Sequence, residues 1–136
     1  MVAQTRGRRL SESFRKLLEG KNYIFLATIN ADGSPQVTPT WVDTDGEHVL
    51  INTALGRVKT ENAKRDPRVA AAISPLKNPY TYTLISGRVV EQITGKKAED
   101  HAERMWKKYT GRSRKPVPNQ KRVILKIKPD RVSTPQ

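Results

Sequence analysis

The chain has 136 residues, 35% of them apolar, and 26 Lys and Arg against 13 Asp and Glu give a formal charge of +13. That length suits one domain with one sizeable core. The apolar runs are strand-sized and no cysteine is present, which excludes membrane-spanning helices, disulfides, thiolate metal sites and a cysteine nucleophile. The positive surplus points to a nucleic-acid surface or to attraction for a polyanionic small molecule, with plain solubility as the alternative.

In chain order, MVAQTRGRRL is basic and lacks the apolar stretch of a secretory signal. Residues 1–10 are therefore expected to form a flexible arm ahead of a single domain over 11–136, in a cytoplasmic protein. Leu10, Phe14, Leu17 and Leu18 share one face at helical spacing, and Gly20 is a natural stop. From Tyr23 to Asn52 the sequence predicts three antiparallel strands, joined through Asn30–Gly33 and then through Asp43–Gly46. A short basic helix follows, ended by Pro67, and Arg68–Ser74 returns to strand. SPLKNP is a loop, Tyr80–Ile93 a long strand, and Gly87 within it suggests a bulge. Ala98, Ala102, Met105, Trp106 and Tyr109 line one face of a second long helix stopped by Gly111. RSRKPVPNQK is a basic loop and RVILKIKP a final strand. Some six strands with short turns predict a mainly β fold, a closed or partly closed antiparallel barrel. No G-x-G-x-x-G follows a strand, and no Walker A sequence is present.

Three segments have ligand-binding character. Arg57, Lys59 and Thr60 fall where the short basic helix begins, close to Thr53. A helix N-terminus with a two-pronged guanidinium, an ammonium and two hydroxyls makes a phosphate cradle; an exposed, solvated helix start is the plain alternative. Pro39 cannot donate a ladder hydrogen bond, so the strand PQVTPTWV lies at an edge or has its pairing interrupted. Val37, Thr38 and Thr40 would then offer free amides and hydroxyls to a flat heterocycle, with Pro39 leaving room for the ring. The alternative is an edge strand protected from aggregation. The aromatic run NPYTY, Asn78 to Tyr82, suits a flat ligand, a subunit interface or the core. His48 and His101 have no partner at metal-ligand spacing and read as structural or exposed, so no metal site is assigned. No serine triad or working carboxylate pair is found, no catalytic side chain is assigned, and any redox chemistry belongs to a cofactor.

The segments LATINADGSPQVTPTWVDTDG, INTALGRVKTENAKRDPRVA, NPYTYTLISGRV, KYTGR and RVILKIKPDRV together resemble the pyridoxamine 5′-phosphate oxidase-like split barrels. Among these, the chain is most similar to the small deazaflavin (coenzyme F-420)-dependent branch. The resemblance implies a homodimer of six-stranded antiparallel split barrels with cofactor sites at the dimer interface. It implies phosphate binding by Arg57, Lys59 and Thr60, and a ring against Val37, Thr38, Pro39 and Thr40. Asn78, Pro79 and Tyr80 would approach from the second subunit. Thr81 and Ser86 stand where the family often has arginine. F-420 is the expected cofactor, with FMN as the alternative, because a strongly basic chain suits the longer polyanion. Arg6, Arg8, Arg9, Arg112, Arg114 and Lys115 are candidates for steering its tail. The expected function is hydride transfer between reduced deazaflavin and a small unsaturated organic substrate. The alternatives are an FMN-dependent oxidase or reductase of this fold, or a cofactor-binding protein without turnover. No nucleic-acid or membrane partner is expected: only YTYTLISGR approaches an aromatic nucleic-acid face, and it carries little charge.

Overall fold

A computed structural model describes residues 2–3 and 9–134. Its elements are β1 (Val2–Ala3), α1 (Glu12–Glu19), β2 (Ile24–Ile29), β3 (Pro35–Thr40), β4 (Asp43–Thr44), β5 (Val49–Ala54), α2 (Val58–Arg65), β6 (Arg68–Ile73), β7 (Thr83–Ile93), α3 (Lys96–Thr110) and β8 (Arg122–Ser133). All strands join one antiparallel sheet in the order β3-β2-β6-β7-β8-β5-β4, with β1 added beside β8. The sheet has more strands than the six expected: six have six or more residues, and β1 and β4 are two-residue additions.

The sheet curls back on itself. β3 and β4 stand at opposite ends of the strand order, yet only Trp41 and Val42 separate them in the chain. Three residue steps span roughly 11 Å at most, so the two ends of the sheet must face each other. The result is a split barrel, with the split between β3 and β5.

Alternation along the strands fills its interior. Ile24, Leu26, Val49, Ile51, Ile73, Val123, Leu125 and Ile127 are buried, and Leu10, Phe14 and Leu18 of the α1 region pack against them. Each such aliphatic side chain contributes about 1.5–3 kcal/mol by leaving water. The long strands β7 and β8 bend to serve both halves. Their register shifts at Ser86/Gly87 and again at Val89/Glu91, and a Cβ on Gly87 would sit 2.2 Å from the Lys128 carbonyl oxygen. Only glycine permits that approach.

Two local details differ from the sequence expectation. The meander from Tyr23 to Asn52 is interrupted: β2 and β3 form the expected hairpin, but β3 and β5 do not pair. The Asp45–Gly46 turn instead joins the short β4 to β5, held by Asp45 Oδ1 accepting from the amides of Glu47 and His48. Gly20 ends α1 in an extended conformation (φ −73°) rather than a left-handed one. The terminal carbonyls are satisfied from outside, by Asn22 Nδ2 on Leu17 and Lys108 Nζ on Leu18. Gly111, by contrast, closes α3 at φ 73°. No helix among the described residues is long and apolar enough to cross a membrane. Of the basic arm, Arg6 and Arg8 lie outside the described residues.

Candidate functional site

The split leaves polar groups without strand partners. β3 pairs only with β2, and on the β4 side of β5 the ladder covers Val49 and Leu50 alone. Helix α2 begins directly after β5, through a turn with Gly56 at φ 87°. Its N-cap Arg57 makes no side-chain capping bond, so the first-turn amides keep their unsatisfied character. The helix is pinned from its other face. Thr60 Oγ1 donates to the Ala54 carbonyl at 2.9 Å, and Asn62 Nδ2 donates to Thr28 Oγ1 and Asn30 Oδ1 at 3.0 and 2.9 Å. Gln92 Nε2 donates to the Thr60 carbonyl at 3.1 Å. These bonds fix the direction in which Arg57 and Lys59 project.

A cavity of about 280 Å³ occupies the split, lined by Tyr23, Pro39, Thr40, Trp41, Asn52, Thr53, Arg57, Lys59 and Arg122. Three of these side chains are cations and none is a carboxylate. Lys59 Nζ reaches across the split to Thr38 Oγ1 at 3.2 Å. Burial, with Arg57 and Arg122 nearby, pulls the Lys59 ammonium below its ordinary pKa of 10.5. Arg122 is likewise pushed down by burial and by Arg114 and Arg57, against the opposing effect of Glu99. Cations that raise one another's energy in a half-buried seam are stabilised by a neighbouring negative charge. A larger groove, about 480 Å³, lies on the outer face between Phe25, Val37, Ala71 and Leu84. It is chiefly apolar, and Arg131 is the one charged residue in its lining.

One wall of the charged cavity is rigid and aromatic. Trp41 stacks on Tyr109 at 4.8 Å between ring centroids with planes 4° apart, and meets Trp106 edge-on at 5.2 Å. Tyr109 Oη donates to the Asn22 carbonyl at 2.6 Å and accepts from the Val42 amide at 3.0 Å. The indole is therefore fixed where the chain crosses the split.

The structure gathers Pro39, Thr40, Thr53, Arg57 and Lys59 into one site, with Thr38 one hydrogen bond away. Thr60 is turned elsewhere: it is fully buried, and its hydroxyl proton is held by Ala54 rather than offered to the cavity. Val37 projects from the opposite face of β3 into the outer groove. Asn78, Pro79 and Tyr80 occupy the β6–β7 loop, where Tyr80 is 84% exposed and no side chain lines the charged cavity. Sequence reasoning missed Tyr23, Trp41, Asn52 and Arg122. Arg122 enters only because it pairs with Ala54 across the β5–β8 ladder, a long-range fact with no local signal. Arg114 is buried behind the site, with Nη1 on Glu99 at 3.2 Å, and lines a recess shared with Trp41, Asn52 and Arg122. Arg9 lies over Gly46.

Residues 10–135 match the family model described as pyridoxamine 5′-phosphate oxidase. The chain belongs to that family. A solved F420 reductase shares 30% identity, with 91% of this chain and 98% of that one aligned at a TM-score of 0.79. A conserved hypothetical protein from Mycobacterium tuberculosis aligns over 97% of this chain and 89% of its own, at 25% identity and a TM-score of 0.70. HupZ from Group A Streptococcus shares the fold at 18% identity and a TM-score of 0.66, over 92% and 98% of the two chains. Among curated proteins, none matches the chain significantly. Membership in the pyridoxamine 5′-phosphate oxidase family agrees with the split barrel and with a charged seam suited to a phosphorylated flavin-type cofactor.

Proposed function

We propose that this protein is an F-420-dependent reductase, moving a hydride between the reduced deazaflavin and a small unsaturated organic substrate. The observation that carries the reading is the seam itself, with Arg57, Lys59 and Arg122 converging on one cavity that no carboxylate lines. The residues fit a phosphate. Among the described residues the Arg57 side chain has no protein partner, which leaves its fork free for two parallel bonds to phosphate oxygens. Lys59 adds a point charge, Thr53 adds a hydroxyl donor, and Thr40 adds a hydroxyl held only by a long 3.4 Å bond to the Trp41 carbonyl. When bound, the cofactor supplies the hydride chemistry. The chain supplies position: Trp41 bounds the cavity on one side, and the unpaired edge of β3 offers backbone groups to the polar rim of a ring. F-420 is favoured over FMN by the chain's +13 charge.

The same reading includes a homodimer. Phe25, Val37 and Leu84 are 50%, 62% and 46% exposed around the apolar outer groove, an arrangement that a second copy would cover. Asn78, Pro79 and Tyr80 would then contribute to the partner's site, which explains a tyrosine left in solvent. The test is titration of the purified protein with F-420 and FMN at low and high salt, with sedimentation analysis of the same sample. Tighter binding of F-420, weakened by salt, in a dimer is the expected result. A yellow protein that retains FMN supports the flavin alternative, and failure to bind either coenzyme overturns the proposal.

A further inference from the structure

From Arg122 in the cavity wall a polar chain runs back to a histidine that the proposed reaction does not use. His101 on α3 is 1% exposed. Its Nε2 is 2.9 Å from Asp43 Oδ2, and its Nδ1 is 3.0 Å from Asn52 Nδ2. A carboxylate accepts only, so Nε2 carries the proton and Nδ1 is left as an acceptor. Asn52 directs its other amide hydrogen to the Ala98 carbonyl at 3.0 Å. With both hydrogens held, its Oδ1 points the opposite way and accepts from Arg122 Nε at 2.8 Å. Rotating the amide by half a turn would set its NH₂ against the Arg122 N–H and its oxygen against the Ala98 carbonyl. All donors therefore run one way, from Arg122 to Asn52 to His101 to Asp43. Arg122 is held on two more sides, its Nη1 by Gln120 Oε1 at 3.1 Å and its amide by Glu99 Oε2 at 2.8 Å. Among the described residues Nη2 has no protein partner, and the side chain lines the cavity.

We infer that His101 is a positioning residue for the anion pocket: by fixing the Asn52 amide it sets the Arg122 guanidinium in its ligand-binding orientation before any ligand arrives. A cation ordered in advance loses less entropy on binding. This inference rests on the anion pocket of the proposed function, but it concerns a residue that touches no ligand. His48 makes a useful contrast, since among the described residues its imidazole hydrogen-bonds only to its neighbour Asp45. A purely structural His101 would hold α3 to β5 without affecting how Arg122 binds an anion.

The experiment combines ligand titration with NMR. In a double-mutant cycle with FMN and inorganic phosphate as probes, His101→Leu should weaken binding by about 5- to 30-fold. His101→Asn, which retains an acceptor near the Nδ1 position, should recover most of that loss. In an Arg122→Gln background the His101→Leu substitution should change affinity less than about twofold. Equal losses with and without Arg122, or no loss in a folded His101→Leu protein, would overturn the inference. Nitrogen-15 spectra of the ligand-free parent should show the Nε2–H tautomer at His101 and an Arg122 Nε–H protected from solvent exchange, with protection lost in His101→Leu. An Nδ1–H tautomer in the parent overturns the relay even if no variant folds. Should the parent bind neither probe nor F-420, the proposed function fails while the spectra still decide the relay.

Discussion

Replacing Lys59 with methionine keeps the stem of the side chain and deletes its charge, which separates a ligand-binding cation from a structural one. In the free protein the ammonium is half-buried, faces Arg57 and Arg122, and has Thr38 Oγ1 at 3.2 Å as its hydrogen-bond partner. Its deletion removes a desolvated, repelled charge at the loss of one hydrogen bond, so ligand-free stability should hold or rise. With an anion in the seam the balance reverses. A charge-assisted hydrogen bond contributes about 1.5–3 kcal/mol, which corresponds to about a 10- to 150-fold loss of affinity. Isothermal titration with F-420 and FMN measures the loss, and scanning calorimetry of the free protein measures Tm. Affinity within twofold of the parent would refute the assignment of Lys59 to the anion site. A Tm that falls by several degrees in step with affinity would show the lysine to be structural.

The pH dependence follows from the same residue. Its folded pKa lies below the unfolded value of 10.5, so between the two the unfolded chain binds more protons and stability rises with pH. Anion affinity should fall through that same alkaline window as the ammonium is lost; Lys59→Arg should abolish both trends, as followed by titration and thermal melts across pH. Thr60→Val should cost about 1–2 kcal/mol of stability, because it deletes the buried bond to Ala54, and leave cofactor affinity unchanged; lost affinity at full stability would return Thr60 to the cradle. Gly87→Ala should destabilise by about 3 kcal/mol or more in urea unfolding, since the added carbon meets backbone atoms of Lys128 and Pro129. A smaller loss would show that β7 and β8 can part at that point.

Much of the barrel is legible where local chemistry decides. Gly33, at φ 87°, makes the β2–β3 hairpin, Pro39 marks an edge strand, and Gly87 marks the close approach of β8. The helix faces of α1 and α3 follow from spacing. The split is not legible, because a turn such as Asp45–Gly46 looks the same whether it joins neighbouring strands or follows a crossing to the far end of a sheet. The candidate site divides along the same line. Arg57 and Lys59 stand out through local charge at a helix start. Thr60 belongs to the same turn, and only the docking of α2 decides that it faces the core. Asn52 and Arg122 come together through strands 70 positions apart, and His101 matters only once that pairing exists.

Where ladder bonding stops, the chain gains a freedom that the remainder of the sheet lacks. Tyr23, Thr40 and Arg57 line the crevice without being buried, so exchanging them changes its lining and leaves the packed aliphatic residues inside in place. A shell of this kind can be refitted for different guests while its folding energetics stay nearly constant.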